Sequence, residues 1–126
     1  MGDRAVITTR ENLENNGIGI YLHWYGDIDH VTAFLRYCEM RGFRRPDVDS
    51  YGFARLVQVI SNYIGGGLSI GVDVVSRLDT DNWDNGTYII EGWRIVESRF
   101  SEPPDEDVVN SLIKEVDSRM PDEKSV

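Results

Sequence analysis

The residues best suited to chemistry lie in one short stretch around a histidine. His23 alternates with Tyr21, and Asp27 and Asp29 follow within six residues. An imidazole oriented by a carboxylate is a general base that works near neutral pH, so this grouping suggests a small hydrolase centred on His23. No catalytic triad or metal-ligand spacing accompanies it, and a histidine packed beside Trp24 for structural reasons is the favoured interpretation. We therefore expect no catalytic residue and no enzymatic activity.

Residues 79–86 (DTDNWDNG) form an oxygen-rich loop that raises the question of a cation site. An EF-hand loop needs oxygen ligands at positions 1, 3 and 5, glycine at 6 and glutamate at 12. With Gly86 at position 6, Trp83 falls on position 3 and Gly92 on position 12. With Asp79 at position 1, Trp83 falls on position 5 and Asp84 on position 6, where glycine is needed. A turn built from aspartate and asparagine side chains is the favoured interpretation, so we expect no metal and no cofactor.

A second group of polar residues occupies one face of a predicted central helix. Arg55, Gln58 and Asn62 lie opposite its apolar stripe and offer hydrogen-bond donors and acceptors. Together with Tyr21 they could read a nucleotide in a pocket between two protomers, which makes a nucleotide-sequestering protein one alternative function. Ordinary solvent exposure is the favoured interpretation, because the net negative charge opposes an anionic ligand.

The aromatic residues suggest contacts with another protein. Tyrosine and tryptophan are enriched at the centres of interfaces. If Tyr25 and Trp83 are exposed, they become candidates for contacts with a partner or with a second copy of the chain. The alternative is that they complete a thin core.

The charge balance indicates which partners to expect. The chain of 126 residues carries a formal net charge of -9, which argues against direct binding of nucleic acid through a basic surface. Residues 100–126 hold eight acidic and three basic side chains. A solvated helix and tail is the ordinary interpretation, and an acidic surface that docks on a basic partner is the functional one. The residues of this predicted acidic surface are Glu102, Asp105, Glu106, Asp107, Glu115 and Asp117.

The elements that position these residues centre on the stretch from Tyr51 to Val75. Apolar residues recur there at helical spacing, three glycines follow, and Leu68, Ile70, Val72 and Val74 then alternate with other residues, as in a half-buried strand. We expect the helix to fold back over this strand. The residues of the apolar helix stripe are Phe53, Leu56, Val57, Ile60 and Ile64.

The whole chain predicts an α+β fold in the order β-β-α-α-β-β-β-α. We expect an antiparallel or mixed sheet of about five strands with helices mainly on one face, as one domain over residues 1–120 and a flexible tail over 121–126. The remaining predicted strands are 4–9, 18–24, 87–91 and 93–98, and the remaining helices are 30–40 and 105–119. No membrane-spanning run and no signal-peptide core is visible, and Cys38 is alone, which together predict a cytoplasmic protein.

Four segments of the chain resemble a known family when taken together. They are DRAVIT (3–8), GIGIYLHW (17–24), ARLVQVISNYIGGGLSIG (54–71) and DNGTYIIEGWRIV (84–96). They resemble a family of small, largely uncharacterised proteins of bacteriophages and mobile elements of Gram-positive bacteria. The resemblance implies an accessory protein acting inside a bacterial host cell against its defences. The expected function is thus non-enzymatic, anti-CRISPR-like inhibition of a host nucleic-acid-handling or defence protein through an acidic surface.

Overall fold

The structure is a computed structural model that describes residues 2–65, 69–100 and 102–121. Its described part contains five strands: β1 (Ala5–Thr9), β2 (Ile18–Leu22), β3 (Ile70–Val74), β4 (Thr87–Glu91) and β5 (Arg94–Glu97). The α-helices are α1 (Arg10–Glu14), α2 (Ile28–Met40), α3 (Ser50–Ile64) and α4 (Glu106–Ser118), and a 3-10 turn spans Val75–Arg77. The predicted α+β class and the element order are confirmed, apart from the added short helix α1.

The five strands form one mixed sheet in the order β3-β2-β1-β4-β5. β1 pairs with β4 in parallel, with Val6 opposite Thr87, and the other neighbouring strands are antiparallel. The first strand of the chain is therefore the central strand of the sheet. β4 and β5 are joined by a two-residue turn whose first residue, Gly92, has a φ of 61°.

One face of the sheet carries the core. Alternate residues of β1, β2 and β4 pack there against α2, α3 and α4, because side chains two apart in a strand share a face. The predicted stripe of α3 is confirmed at its centre, since Leu56 and Ile60 are fully buried. Gly65 ends the helix in the left-handed region with a φ of 83°, as the glycines predict.

The opposite face of the sheet is covered by the connection between β3 and β4. Val75 and Asn82 of this connection are buried. A Cβ atom at Gly19 of β2 would lie 3.1 Å from Leu78 Cδ1 and 3.2 Å from Val75 Cγ1, so glycine lets the connection approach the strand closely. β1 is consequently buried on both faces.

Several details differ from the sequence-based expectations. The Asn16-Gly17 pair predicts a turn over residues 11–17, but the short helix α1 covers most of this segment, and the Thr9 hydroxyl caps it by accepting a hydrogen bond from Asn12 N. The alternation over 18–24 predicts one apolar strand face of Ile18, Ile20, Leu22 and Trp24, but β2 ends at Leu22, and Ile18 and Trp24 are exposed. β3 lies at the edge of the sheet with Val72 exposed, so the core is built around β1 instead.

Some expectations fall outside the described part of the chain. They concern Gly66, Gly67 and Leu68, and most of the predicted tail, residues 122–126. Among the described helices, none combines the length and the apolar character that crossing a membrane requires.

Candidate functional site

A buried asparagine organises the loop of residues 79–86, which we call the tryptophan loop. Asn82 Nδ2 donates to the carbonyl oxygens of Asp79 (3.0 Å) and Gly86 (3.1 Å). Its Oδ1 accepts from the backbone N–H groups of Asn85 (3.1 Å) and Gly86 (2.9 Å). Every donor and acceptor of the amide is thus used at least once within the loop, which holds the loop in one conformation.

The residue after this asparagine points away from the protein. Trp83 is 90% exposed, more than any other large hydrophobic residue among those described. The flanking carboxylates bind arginines instead of converging on one point: Asp84 Oδ2 accepts from Arg4 N and Nε, both at 2.9 Å, and Asp81 Oδ1 accepts from Arg99. Within the described ranges, no three acidic, histidine or cysteine side chains are arranged to hold a metal ion.

The N-terminal residues 2–4 join the tryptophan loop to the loop that follows β2. Asp3 Oδ1 accepts from Asn85 Nδ2 (2.6 Å), while Asp3 N donates to the carbonyl oxygen of His23 (2.7 Å) and Asp3 O accepts from Gly26 N (2.9 Å). Both loops therefore lie at one end of the molecule. We call this surface the aromatic end, and its aromatic residues are Tyr21, His23, Trp24, Tyr25 and Trp83.

His23, the residue expected to act if the protein were a hydrolase, is held by aromatic neighbours. Its Nδ1 lies 3.1 Å from the Tyr21 hydroxyl, and its ring meets the edge of Trp24 at 5.2 Å between centroids. The sequence favoured a structural role for His23, packed beside Trp24, and the two rings are in contact. Burial raises the pKa of the Tyr21 phenol above its ordinary value.

A second histidine forms the carboxylate–imidazole pair that the sequence suggested for His23. His30 Nδ1 lies 2.7 Å from Asp27 Oδ1, and Asp27 also caps α2 by accepting from His30 N at 3.2 Å. Burial alone would raise the pKa of Asp27, but the hydrogen bonds and charge of His30 and a hydrogen bond from Asp3 outweigh it and lower that pKa to about 2. Burial and the neighbouring Asp27 carboxylate raise the pKa of Asp3.

The sequence suggests Asp27 or Asp29 as a helix cap and as a carboxylate near His23, and His30 as a solvent-exposed or capping residue, so the pairing of Asp27 with His30 was not predicted. The available signal was a capping aspartate with a histidine three residues later, a spacing that brings the two side chains together. The pair orients the imidazole ring and closes the first turn of α2. Tyr25 and Tyr63 pack against the ring at 5.0 and 5.9 Å between centroids.

Tyr25 adopts a backbone conformation that few non-glycine residues adopt. Its φ is 63°, in the left-handed region, yet 36% of the residue remains exposed. Such a conformation costs about 1 kcal/mol or more in a bulky residue and persists where the surroundings fix it. Contacts with His30 and the edge of Tyr63 (5.3 Å) fix it here, at the rim of the aromatic end.

The polar face of α3 does not join this surface. Arg55 Nη1 donates to Gln58 Oε1 at 3.2 Å on the exposed side of the helix, and Asn62 Nδ2 approaches Met120 Sδ at 3.9 Å. Tyr21 pairs with Val6 on the sheet face away from α2–α4, so the sheet separates it from α3. Within one chain, these four residues therefore do not line one nucleotide pocket.

Most carboxylates of the predicted acidic surface have intramolecular partners. Glu106 receives two hydrogen bonds from Arg36 (2.6 and 2.9 Å), Glu115 binds Arg119, and Asp117 accepts from the Tyr37 hydroxyl. Asp105 caps α4, leaving the Glu102 and Asp107 side chains without a partner among the described residues.

α4 nevertheless begins close to the aromatic end. Asp29 Oδ1, in the first turn of α2, accepts a hydrogen bond from Asp105 N at 2.9 Å. The N-termini of the two helices are therefore adjacent, and the acidic residues around Asp105 lie next to those of the loop before α2. The aromatic end and the start of α4 thus form neighbouring surfaces rich in carboxylates.

Comparisons of this chain with protein-family models, with curated proteins and with solved structures found no match. The resemblance to phage and mobile-element proteins stays a prediction.

Proposed function

We propose that this chain is a non-enzymatic binding protein that docks its aromatic end on a basic surface of another protein. The observation that carries the proposal is the contrast within the tryptophan loop, where a fully buried Asn82 holds a 90% exposed Trp83 in place. A large side chain kept in water on a loop fixed by hydrogen bonds supports a role in binding, because little conformational entropy is lost when it docks.

The charges around this tryptophan favour a basic partner. The side chains of Asp79 and Asp81 are 59% and 99% exposed, and the acidic start of α4 lies beside the same end of the molecule. Exposed carboxylates of one sign speed the encounter with an oppositely charged surface and are screened by salt. The expected interface is therefore an aromatic anchor with an acidic rim.

Within this proposal, the partner is a nucleic-acid-handling or defence protein in the cytoplasm of a bacterial host. Such proteins present lysine and arginine to phosphates, and carboxylates can occupy the same positions. Inhibition would follow from competition with the nucleic acid. This part of the proposal rests on charge and on the sequence resemblance.

Affinity capture from a Gram-positive host lysate tests the proposal when variants are compared. The wild-type chain is expected to retain a basic protein that Trp83→Ala loses, because truncating a central tryptophan costs about 2 kcal/mol or more of binding free energy. Phe100→Ala, which removes another exposed aromatic ring, is the matched control and should retain it.

Two results of this capture would contradict the proposal. One is that Trp83→Ala and the wild-type chain retain the same proteins in the same amounts. The other is that the captured protein stays bound when the salt concentration is raised to about 1 M, where the Debye length is only about 3 Å.

A further inference from the structure

A small concavity lies at the other end of α2, roughly 20 Å from the aromatic end for a helix of this length. It has a volume of about 310 Å³ and is lined by Gly42, Phe43, Arg44, Tyr51 and Arg55. Two guanidinium groups and two aromatic rings therefore form its wall, and no acidic residue of the described ranges contributes to it. This composition is unusual in a chain whose net charge is -9.

The wall is assembled by a close approach between α3 and the segment before it. A Cβ atom at Gly52 would lie 2.5 Å from Arg44 O and 2.5 Å from Pro46 N, so only glycine allows this packing. The approach places the Arg44 guanidinium over the Tyr51 ring, 5.2 Å from its centroid. Asp49, outside the wall, accepts from Arg44 Nη1 at 3.0 Å and from Tyr51 N at 2.7 Å, which fixes the Arg44 side chain and the backbone at Tyr51.

Arg55 differs from the other arginines of the described ranges. Setting aside Arg41, which binds Tyr37, each of the others contacts a carboxylate within 4.0 Å, whereas Arg55 donates to the amide oxygen of Gln58. Arg55 lies one helical turn after Tyr51, on the same face of α3, and both residues line the concavity. The charges of Arg44, Asp49 and Arg55 together leave this concavity with an excess positive charge.

We propose that this concavity binds a small ligand that carries a phosphate group on a flat aromatic portion, for which a nucleoside monophosphate is the simplest example. The guanidinium fork of arginine matches the geometry of phosphate oxygens. The rings of Tyr51 and Phe43 supply apolar contact for a planar group. A volume of about 310 Å³ suits a ligand of this size, at the lower end of ordinary binding sites.

This site is independent of the protein-binding surface proposed above. It shares Arg55 with the nucleotide site suggested by the sequence, but its other polar and aromatic residues are Arg44, Tyr51 and Phe43 instead of Tyr21, Gln58 and Asn62. The site recognises both the phosphate group and the flat aromatic portion of the ligand. A molecule that carries both groups should therefore bind more tightly than a molecule that carries only one of them.

Isothermal titration calorimetry of the full chain with adenosine 5′-monophosphate, adenosine and inorganic phosphate tests the proposal. The monophosphate is expected to bind, and adenosine and phosphate should each bind at least about tenfold more weakly, since each lacks one set of contacts. Arg55→Gln should weaken monophosphate binding by about tenfold, because it removes a charged donor from an exposed position where folding does not depend on it.

Two further variants test whether the loss of affinity in Arg55→Gln comes from this concavity. Arg77→Gln makes the same charge change at a distant exposed site and should leave the affinity within about twofold. Tyr51→Leu should weaken binding of the monophosphate while leaving the weak binding of inorganic phosphate unchanged.

Three results would overturn the proposal. The first is that no heat of binding appears with the monophosphate up to about 10 mM, a concentration beyond any specific affinity. The second is that Arg55→Gln binds as tightly as the wild-type chain. The third is that adenosine or inorganic phosphate alone binds as tightly as the monophosphate.

Discussion

Asn82 and Trp83 are neighbours in the chain that occupy opposite environments: the asparagine is fully buried and the tryptophan is 90% exposed. The hydrogen bonds of one amide therefore determine where an indole ring is held in water. Changes at the first residue should affect stability, and changes at the second should affect binding.

Replacing Asn82 with alanine should destabilise the fold. The substitution removes four hydrogen bonds and leaves the backbone N–H group of Gly86 without its acceptor, while Asn85 N keeps the carbonyl oxygen of Arg4 at 3.0 Å, so we expect a loss of about 2–4 kcal/mol in the free energy of unfolding. Urea denaturation measures it, with Asn110→Ala on the exposed side of α4 as the control. A loss below about 0.5 kcal/mol, typical of surface positions, would contradict this account of the loop.

Replacing Leu56 with alanine tests the predicted centre of the core. Leu56 is fully buried, so we expect a loss of about 2–5 kcal/mol from lost burial and the cavity left behind. Val48→Ala, at a residue that is largely exposed, should change stability by less than about 0.5 kcal/mol. Equal effects at the two positions in thermal or urea unfolding would show that α3 is not packed as described.

Glycine-to-alanine substitutions at two positions should have different outcomes. At Gly52 the new methyl group would meet the backbone of residues 44–46 at about 2.5 Å, so we expect a loss of about 1–3 kcal/mol. At Gly71 the nearest atom would be Tyr21 Cβ at 4.0 Å, so the substitution should be tolerated. Chemical denaturation compares the two variants, and a tolerated Gly52→Ala would mean that the loop does not approach α3 this closely.

The Asp27–His30 pair should make stability depend on pH in the acid range. Because the pKa of Asp27 is lowered from 3.8 to about 2 on folding, its contribution is complete above about pH 4 and is lost as the pH falls towards 2. Asp27 is more than a third exposed, so we expect about 1 kcal/mol. Asp27→Asn retains a capping side chain without the charge, so the difference in unfolding free energy between it and the wild-type chain should shrink as the pH falls below about 4 and vanish as it falls through about 2.

A carboxylate elsewhere provides the comparison for this pH dependence. Asp107→Asn removes an acidic side chain from the exposed first turn of α4, where it has no partner among the described residues. Its difference from the wild-type chain should be a few tenths of a kcal/mol. If Asp27→Asn follows the same pH profile as Asp107→Asn, the ion pair contributes nothing to stability.

The parts of the fold that depend on local patterns could be predicted from the sequence. Three such patterns are the apolar spacing around Leu56, the glycine after Ile64, and the β-branched and aromatic residues of β4. Each pattern determines a helix, a helix end or a strand through contacts within a few residues. The Asp27 cap is of the same kind, since a capping side chain acts on the next turn. The sequence made Trp83 a candidate for partner contacts only if its side chain is exposed, and the side chain is exposed.

The features that were missed depend on partners far apart in the chain. Nothing near Val6 indicates that it pairs with Thr87, and nothing near Asn82 indicates that it is buried under the sheet. The meeting of Arg44 with Tyr51 requires the close approach at Gly52, which becomes visible once the two segments are placed together. α1 was missed for a different reason, because an Asn-Gly turn signal was given more weight than the Thr9 cap.

The central position of β1 has a consequence for the order in which the molecule assembles. Arg4 and Asp84 are 80 positions apart, and the strand beside β1 on that side is made from the last third of the chain. During synthesis, the first strand therefore emerges from the ribosome long before its parallel neighbour exists. Until then its free edge is open to any other extended chain, and closing such a distant pair slows folding. The protein should thus be most prone to aggregate while it is still being made.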